Sequence, residues 1–247
     1  MDAWWERAQA YQKQQQQENT KIDRFRLKYA QRQPDAVIEF LDAALSHSEY
    51  PDMFPMRWEM SFETETGSLV VDYELPSPEN FPTLRAVKFD VLRDTFAQSH
   101  WGESEIAQQY ESAIYQTCLR SLHDLLAADE AEVVSSVTFN GWVNFTDKLR
   151  SMPARACIMS VQAARSAISQ ANFLAVDPKI IFKKLKGVAG AKLADLAAVI
   201  PLMWLKRDDR LAAADDATGE DSRAQAQSLS SPSSTANDSA TPPSPRH

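Results

Sequence analysis

Cysteine, glycine and histidine are all scarce in this chain. Two cysteines among 247 residues, Cys118 and Cys157, are too few for a disulfide framework. Both sit inside apolar stretches, which points to buried free thiols and a reducing, cytoplasmic setting. Six glycines leave little room for phosphate-cradling loops, and neither a P-loop nor a dinucleotide fingerprint occurs. A Gly-x-Ser-x-Gly nucleophile elbow is missing too. The four histidines, His47, His100, His123 and His247, stand far apart, and none has a second His or Cys at metal-ligand spacing. His123, between Leu122 and Asp124 and three residues after Arg120, reads as part of a polar helix edge. No cofactor or metal is called for.

Long apolar runs are also lacking. The longest, LAAVIPLMWL over residues 196–205, is about half of a membrane span and contains Pro201. The opening MDAWWERAQ has acidic residues early and no apolar core before small residues, unlike a secretory signal. No membrane association is expected.

Hydrophobic residues at 44% and charged residues at 24% are those of an ordinary globular protein. The net charge of −8 argues against attraction of the whole molecule to nucleic acid. Two segments run against it. Residues 21–32 hold Lys21, Arg24, Arg26, Lys28 and Arg32 against Asp23, and residues 178–192 hold Lys179, Lys183, Lys184, Lys186 and Lys192 with no acid.

Periodicity divides the chain into an arm at 1–32, an α+β core at 33–206 and a tail at 207–247. The arm is polar and Gln-rich, without Pro or Gly, and carries Trp4, Trp5, Ala8, Tyr11, Ile22, Phe25 and Tyr29 as a sparse helical stripe. It reads as a partly exposed helix, either a coiled-coil arm for self-association or a frayed leader. A second helix follows Pro34, with Val37, Ile38, Leu41, Ala44 and Leu45 on one face. Strands are expected at 56–64 and 68–75 around a turn at Glu65-Thr66-Gly67, with Trp58, Met60 and Phe62 on one face of the first. In the second, Val71, Tyr73 and Leu75 oppose Asp72 and Glu74. After proline-rich residues 76–82 comes an extended piece, LRAVKFD.

The cleanest period lies in YESAIYQTCLRSLHDLLAAD, a long helix opening near Gly102 with a stripe through Ile106, Tyr110, Ile114, Cys118, Leu122 and Leu125. Strands at 133–145 and 155–162 follow. Asn140-Gly141 inside the first suggests a bulge or a close backbone approach. Residues 163–174 read as a helix. Asp177-Pro178 is an N-cap followed by Pro at the first helical position, starting a helix that ends at Gly187. A last helix spans AKLADLAAVI up to Pro201. From Arg207 the chain is Ala, Ser, Asp, Pro and Thr, too polar to offset its conformational entropy, and it should be disordered. The expected fold is an antiparallel sheet of about four strands packed with the long central helix and C-terminal helices.

A two-carboxylate-plus-lysine nuclease needs an acid, then acid-x-Lys on an adjacent strand, to hold Mg²⁺ and a water. Asp72 and Glu74 share a strand face, but Lys88 is wrongly spaced. Asp177-Pro178-Lys179 has the spelling, with a proline that fits a helix start better than a strand. Solvated-face and N-cap roles are the simpler readings. Residues 181–196, IFKKLKGVAGAKLADL, place two helical pieces around Gly187-Val188-Ala189-Gly190. They resemble a helix-hairpin-helix, whose turn aims backbone N–H groups at a phosphate. Ala189 stands where that motif prefers its second Gly. Lys183, Lys184, Lys186, Gly187, Gly190 and Lys192 are the candidate phosphate contacts; the plainer alternative is a helical corner with solvated lysines.

The runs SEYPDMFP, LVVDYELPSPENFPTLRAVKFD, YESAIYQTCLRSLHDLLAAD, VTFNGWVNFTDK, ACIMSVQA and NFLAVDPKIIFKKLKGVAGAKLADLAAVIPLM together resemble the region preceding the nuclease domain in bacterial Mrr-type restriction endonuclease proteins. The resemblance spans about residues 26–205 in order and spacing; Leu149–Pro153 departs from a Gly-containing loop. In that group a separate C-terminal domain carries the two-carboxylate-and-lysine motif, which this chain is expected to lack. The resemblance therefore implies no catalytic residue. It implies a non-catalytic module of a restriction-type anti-phage defence system that binds DNA or a partner, such as a separately encoded nuclease or ATPase subunit. Two other functions remain open: a cryptic Mg²⁺-dependent nuclease using Asp72, Glu74 and Lys88, and a structural adaptor that forms a homo-oligomer through residues 1–32.

Overall fold

Alternation of apolar and charged residues builds an interior strand of the sheet. In Ser68–Leu75 (β2), Val71, Tyr73 and Leu75 turn into the core while Asp72 and Glu74 stay half-buried on the opposite face, as the two-residue period of a pleated strand requires. A computed structural model describes residues 2–147, 150–170 and 176–206. The tail expected to be disordered, from Arg207 on, lies outside the described residues.

The chain begins with Asp2–Ala30 (α1) and Pro34–Ser46 (α2). Trp58–Glu63 (β1) pairs antiparallel with β2. Their turn closes through the Gly67 N–H to the Glu63 carbonyl at 2.9 Å. Gly67 has φ of +65°, a left-handed conformation in which a Cβ is disfavoured, and a Cβ there would lie 2.7 Å from the Ser135 Oγ. Leu84–Asp90 (β3) and Thr95–His100 (β4) form a separate antiparallel pair. Glu103–Ala128 (α3), Ser136–Asp147 (β5) and Met152–Ala164 (β6) follow. Arg165–Ser169 (α4), Pro178–Lys184 (α5) and the short Val188–Ala189 (β7) complete the order.

The α+β class holds, and the sheet is more elaborate than the sequence suggests. It has five strands in the order β1-β2-β5-β6-β7. It is mixed rather than wholly antiparallel, because β2 and β5 run parallel, with Ser68 opposite Ser136 and Leu75 opposite Val143. A parallel pair cannot be joined by a tight turn; here β3, β4 and α3 form the connection. The long helix is thus a crossover as well as a core element.

Asn140-Gly141 marks both a bulge and a close approach. The β5–β6 register shifts between Gly141 and Trp142. A Cβ on Gly141 would lie 2.5 Å from Leu75 Cδ1 and 2.8 Å from Met159 Cγ. Two C-terminal helices fall short of expectation. Of residues 163–174, the first two complete β6, α4 covers only Arg165–Ser169, and 171–175 lie outside the described residues. The helix expected over 191–200 is a single 3-10 turn, Leu193–Asp195, ended by a left-handed Leu196. Its helix-favouring Ala and Leu residues lose to tertiary hydrogen bonds. The Val199 N–H donates to the Cys157 carbonyl at 2.8 Å and the Leu202 N–H to Ser160 Oγ at 2.9 Å. Residues 199–204 therefore lie as an extended strap on the sheet.

The core joins α2 (Val37, Leu41, Leu45), α3 (Tyr110, Ile114, Leu122, Leu125) and the inward side chains of β2 and β5. Each fully buried Leu or Ile contributes about 1.5–3 kcal/mol. Tyr73 stacks on Trp58 at 5.8 Å and on Phe139 at 5.5 Å between ring centroids, tying β1, β2 and β5 together. Cys118 and Cys157 are buried free thiols. Burial pushes the Cys157 thiol up to about 12 and Cys118 well above the ordinary range.

Among the described residues one acid is sunk in this core. Asp129, just past α3, is fully buried and accepts from the Val133 and Val134 N–H groups at 3.1 and 2.7 Å. It also accepts from the Tyr29 hydroxyl at 2.6 Å and pairs with the Arg165 guanidinium. The arm α1 is otherwise mostly exposed, Trp4 and Trp5 at 63% and 60%. Tyr29 is where it is fastened.

Candidate nucleic-acid interface

The lysine-rich segment is organised by its first and last helical residues. The Asp177 side chain accepts the Lys179 N–H at 2.7 Å, with Pro178 at the first helical position. This satisfies a donor that a helix start leaves open. In α5, Ile181 and Phe182 are buried, and the Phe182 ring packs on Tyr115 of α3 with centroids 5.0 Å apart. Lys179 Nζ bonds Glu111 Oε1 at 2.8 Å and lies 5.9 Å from the Tyr115 ring centre. That lysine pins the helix to α3.

The helix ends in a Schellman-type turn. The Lys186 N–H donates to the Lys183 carbonyl at 2.9 Å and the Gly187 N–H to the Phe182 carbonyl at 3.0 Å. These bonds satisfy two of the orphan carbonyls of the last turn. Lys186, not the following glycine, adopts the left-handed conformation, with φ of 59°. Gly187 is needed for room instead: a Cβ would sit 2.4 Å from the Phe182 ring.

After Gly187 the helix-hairpin-helix expectation fails. Val188–Ala189 is a strand, β7, paired with Met159 and Ser160 of β6. The Gly190 N–H donates to the Ile158 carbonyl at 3.3 Å. A second helix is absent, and the amides of Gly187 and Gly190, expected to face a phosphate, are spent on Phe182 and Ile158. The sequence could not reveal this, because the unpaired edge of β6 recruits the segment from outside it. The lysines fare differently. Lys183, Lys184, Lys186 and Lys192 are all exposed, and none has an ion-pair partner among the described residues. Lys183 and Lys184 occupy the last turn of α5, where positive charge complements the helix dipole. Lys183, Lys184 and Lys186 sit at the anchored end of α5, and Lys192 follows β7.

The carboxylates considered for Mg²⁺ are otherwise engaged. Asp72 Oδ1 accepts from Asn140 Nδ2 at 2.8 Å, and Glu74 faces Arg57 at 3.8 Å. Lys88 belongs to the separate β3–β4 pair. Among the described residues no group of three or more His, Cys, Asp or Glu could hold a metal ion. The sequence reading missed the network around Asn140. Its side chain also donates to the Met203 carbonyl at 2.9 Å and accepts from Ser160 Oγ at 2.7 Å. The available signal was a pair of polar residues flanked by apolar ones or glycine, Asn140 between Phe139 and Gly141 and Ser160 between Met159 and Val161. On the same strap, Trp204 lies 6.3 Å from Trp142, and the Arg155 guanidinium covers the Trp142 ring at 4.7 Å.

No helix among the described residues is long and apolar enough to cross a membrane. Comparison of the chain with protein-family models, with curated proteins and with solved structures gives no match.

Proposed function

We propose that this chain is a non-catalytic module of a restriction-type defence system that holds duplex DNA through Lys183, Lys184, Lys186 and Lys192. The observation that carries the reading is the anchored turn, which presents exposed lysines without neutralising acids among the described residues. With the glycine amides occupied, the contacts are side-chain to phosphate. Such contacts position DNA without reading its sequence. Each phosphate neutralised contributes about −0.9 to the slope of log K against log salt, so four give a slope of roughly −3 to −4.

Fluorescence anisotropy on a labelled duplex across salt concentrations measures this slope directly. The Lys183/Lys184/Lys186→Ala variant should lose about three-quarters of it. A variant that binds like the wild-type chain at every salt concentration refutes the assignment. Cleavage of the same duplex in Mg²⁺ or Mn²⁺ would instead favour a nuclease.

A second reading, an adaptor that self-associates through α1, is favoured by one observation. Trp4, Trp5, Tyr11, Ile22 and Leu27 are all exposed on that helix.

A further inference from the structure

The β3–β4 hairpin stands apart from the main sheet, and its register sorts its side chains onto two unlike faces. Phe96, Gln98 and His100 share one side of β4 by its two-residue period. Their cross-strand partners Phe89, Val87 and Leu84 share that side with them. Ala86, Lys88, Ala97 and Ser99 take the other. On the first side Leu84, Val87, Phe89 and Phe96 are all exposed, and the connecting turn adds Val91 at 81% and Leu92 at 97%. The Phe89 and Phe96 rings lie 5.2 Å apart between centroids. A two-stranded hairpin alone is marginal in water and gains stability from further strands or from a partner against its apolar face. From ordinary residue areas these six residues expose roughly 800 Å² in each copy, the share that a standard interface takes from one partner.

Charge at the two ends of this face selects what covers it. The base carries Arg85, which lies 4.6 Å from the Trp101 ring centre and 3.7 Å from Glu105. That separation is too long for a charge-assisted hydrogen bond, so the guanidinium keeps donors for a second carboxylate. The turn carries Asp90 and Asp94. Asp90 accepts the Leu92 N–H at 3.0 Å and faces Arg93 at 3.8 Å, which leaves the turn net acidic. Acids beside Val91 and Leu92 disfavour a lipid surface, which is itself negative. A face with opposite signs at its two ends matches itself. When two copies lie face to face and antiparallel, the acidic turn of each reaches the Arg85 end of the other, and two-fold symmetry makes that contact twice.

We infer that the chain forms a two-fold dimer through this hairpin. Leu84, Val87, Phe89 and Phe96 of one copy pack on the same residues of the other, and Asp94 of each copy pairs with Arg85 of the other. The apolar face supplies the affinity and the charges at its ends fix the antiparallel orientation. Neither α1 nor the lysine turn takes part, so the inference stands apart from both readings above.

Sedimentation velocity of the full chain across micromolar concentrations tests this, and a concentration-dependent dimer is expected. Phe89→Ser/Phe96→Ser should raise its dissociation constant about a hundredfold or more, as loss of aromatic anchors from an interface centre does. Arg85→Glu sets like charges together and should weaken the dimer about tenfold. Adding Asp94→Asn to Arg85→Glu should recover part of that loss. Asn suits the left-handed backbone of Asp94, with φ of 49°, so this rescue reads the contact between copies rather than damage to the turn. Deleting residues 1–24 should leave the dimer in place. A chain that is monomeric at every concentration overturns the inference. So does a dimer that the hairpin variants leave unchanged and the deletion abolishes, which would assign self-association to α1. Flotation of the wild-type chain but not of Phe89→Ser/Phe96→Ser with phosphatidylserine vesicles would also overturn it, in favour of lipid. Should the double Phe variant fail to fold, Arg85→Glu and its rescue by Asp94→Asn decide.

Discussion

Asp129 ties together three parts of the fold that are far apart in sequence. Its carboxylate joins the last turns of α1 through Tyr29, the loop into β5 through Val133 and Val134, and α4 through Arg165. The Arg165 guanidinium also donates to the Leu126 and Val134 carbonyls at 2.9 and 3.1 Å. Removing one partner of a buried charge pair strands the other, which costs about 3–5 kcal/mol. Asp129→Ala should therefore lower the urea unfolding free energy by about that amount. Tyr29→Phe removes one donor to a charged acceptor and should cost about 1.5–3 kcal/mol. Equal losses in the two variants would mean that Arg165 finds another partner. None of this was legible beforehand, since Tyr29 and Asp129 are 100 residues apart and acids after helices are usually solvated. Asn140-Gly141 was legible, because a glycine amid β-branched and aromatic residues needs a local steric reason. Leu75 and Met159 supply it.

Elements were easiest to read where one face is apolar and the period unbroken. β2 and α3 are such cases, and Asp177-Pro178 announced α5 through local chemistry alone. Elements whose existence depends on a distant partner were not readable. β4 is exposed throughout, β7 exists only because β6 offers an edge, and the expected last helix yields to Ser160 and Cys157. The same distinction makes α1 testable. Its residues before Phe25 are, with few exceptions, exposed, so they add little to tertiary stability, whereas Tyr29 is fastened to the core. Deleting residues 1–24 should leave the melting temperature within about 4 °C, the shift of roughly 1 kcal/mol. Extending the deletion through Tyr29 should lower it several-fold more. If α1 also joins copies of the chain, the shorter deletion converts a dimer to a monomer in light scattering. An unchanged mass counts against the adaptor reading.

For the whole molecule, burial of weak acids gives a pH dependence. Burial raises the phenols of Tyr29, Tyr50, Tyr73, Tyr110 and Tyr115, the last to about 12 from an ordinary 10. The thiol of Cys157 rises to about 12 from an ordinary 9. These groups hold their protons more tightly folded than unfolded. Their contribution is full below the unfolded values near 9 and 10 and is lost as pH rises toward 12. Unfolding free energy should be flat to about pH 8.5 and then fall steeply. Tyrosinate absorbance should appear together with loss of the folded circular dichroism signal. Complete phenol ionisation in a chain still folded would contradict this.

The parallel pairing of β2 with β5 has a consequence for how the chain is made. Ser68 and its partner Ser136 are 68 residues apart, and synthesis proceeds at about 5–20 residues per second. When β2 leaves the ribosome it has β1 on one side and nothing on the other. Val70, Val71 and Tyr73 must wait for several seconds, until β3, β4, α3 and β5 have been translated. During that interval a strand destined for the interior of the sheet is an open edge, the form most prone to pair with the wrong chain. The nascent protein is therefore most in need of chaperone cover between the emergence of Leu75 and that of Val143.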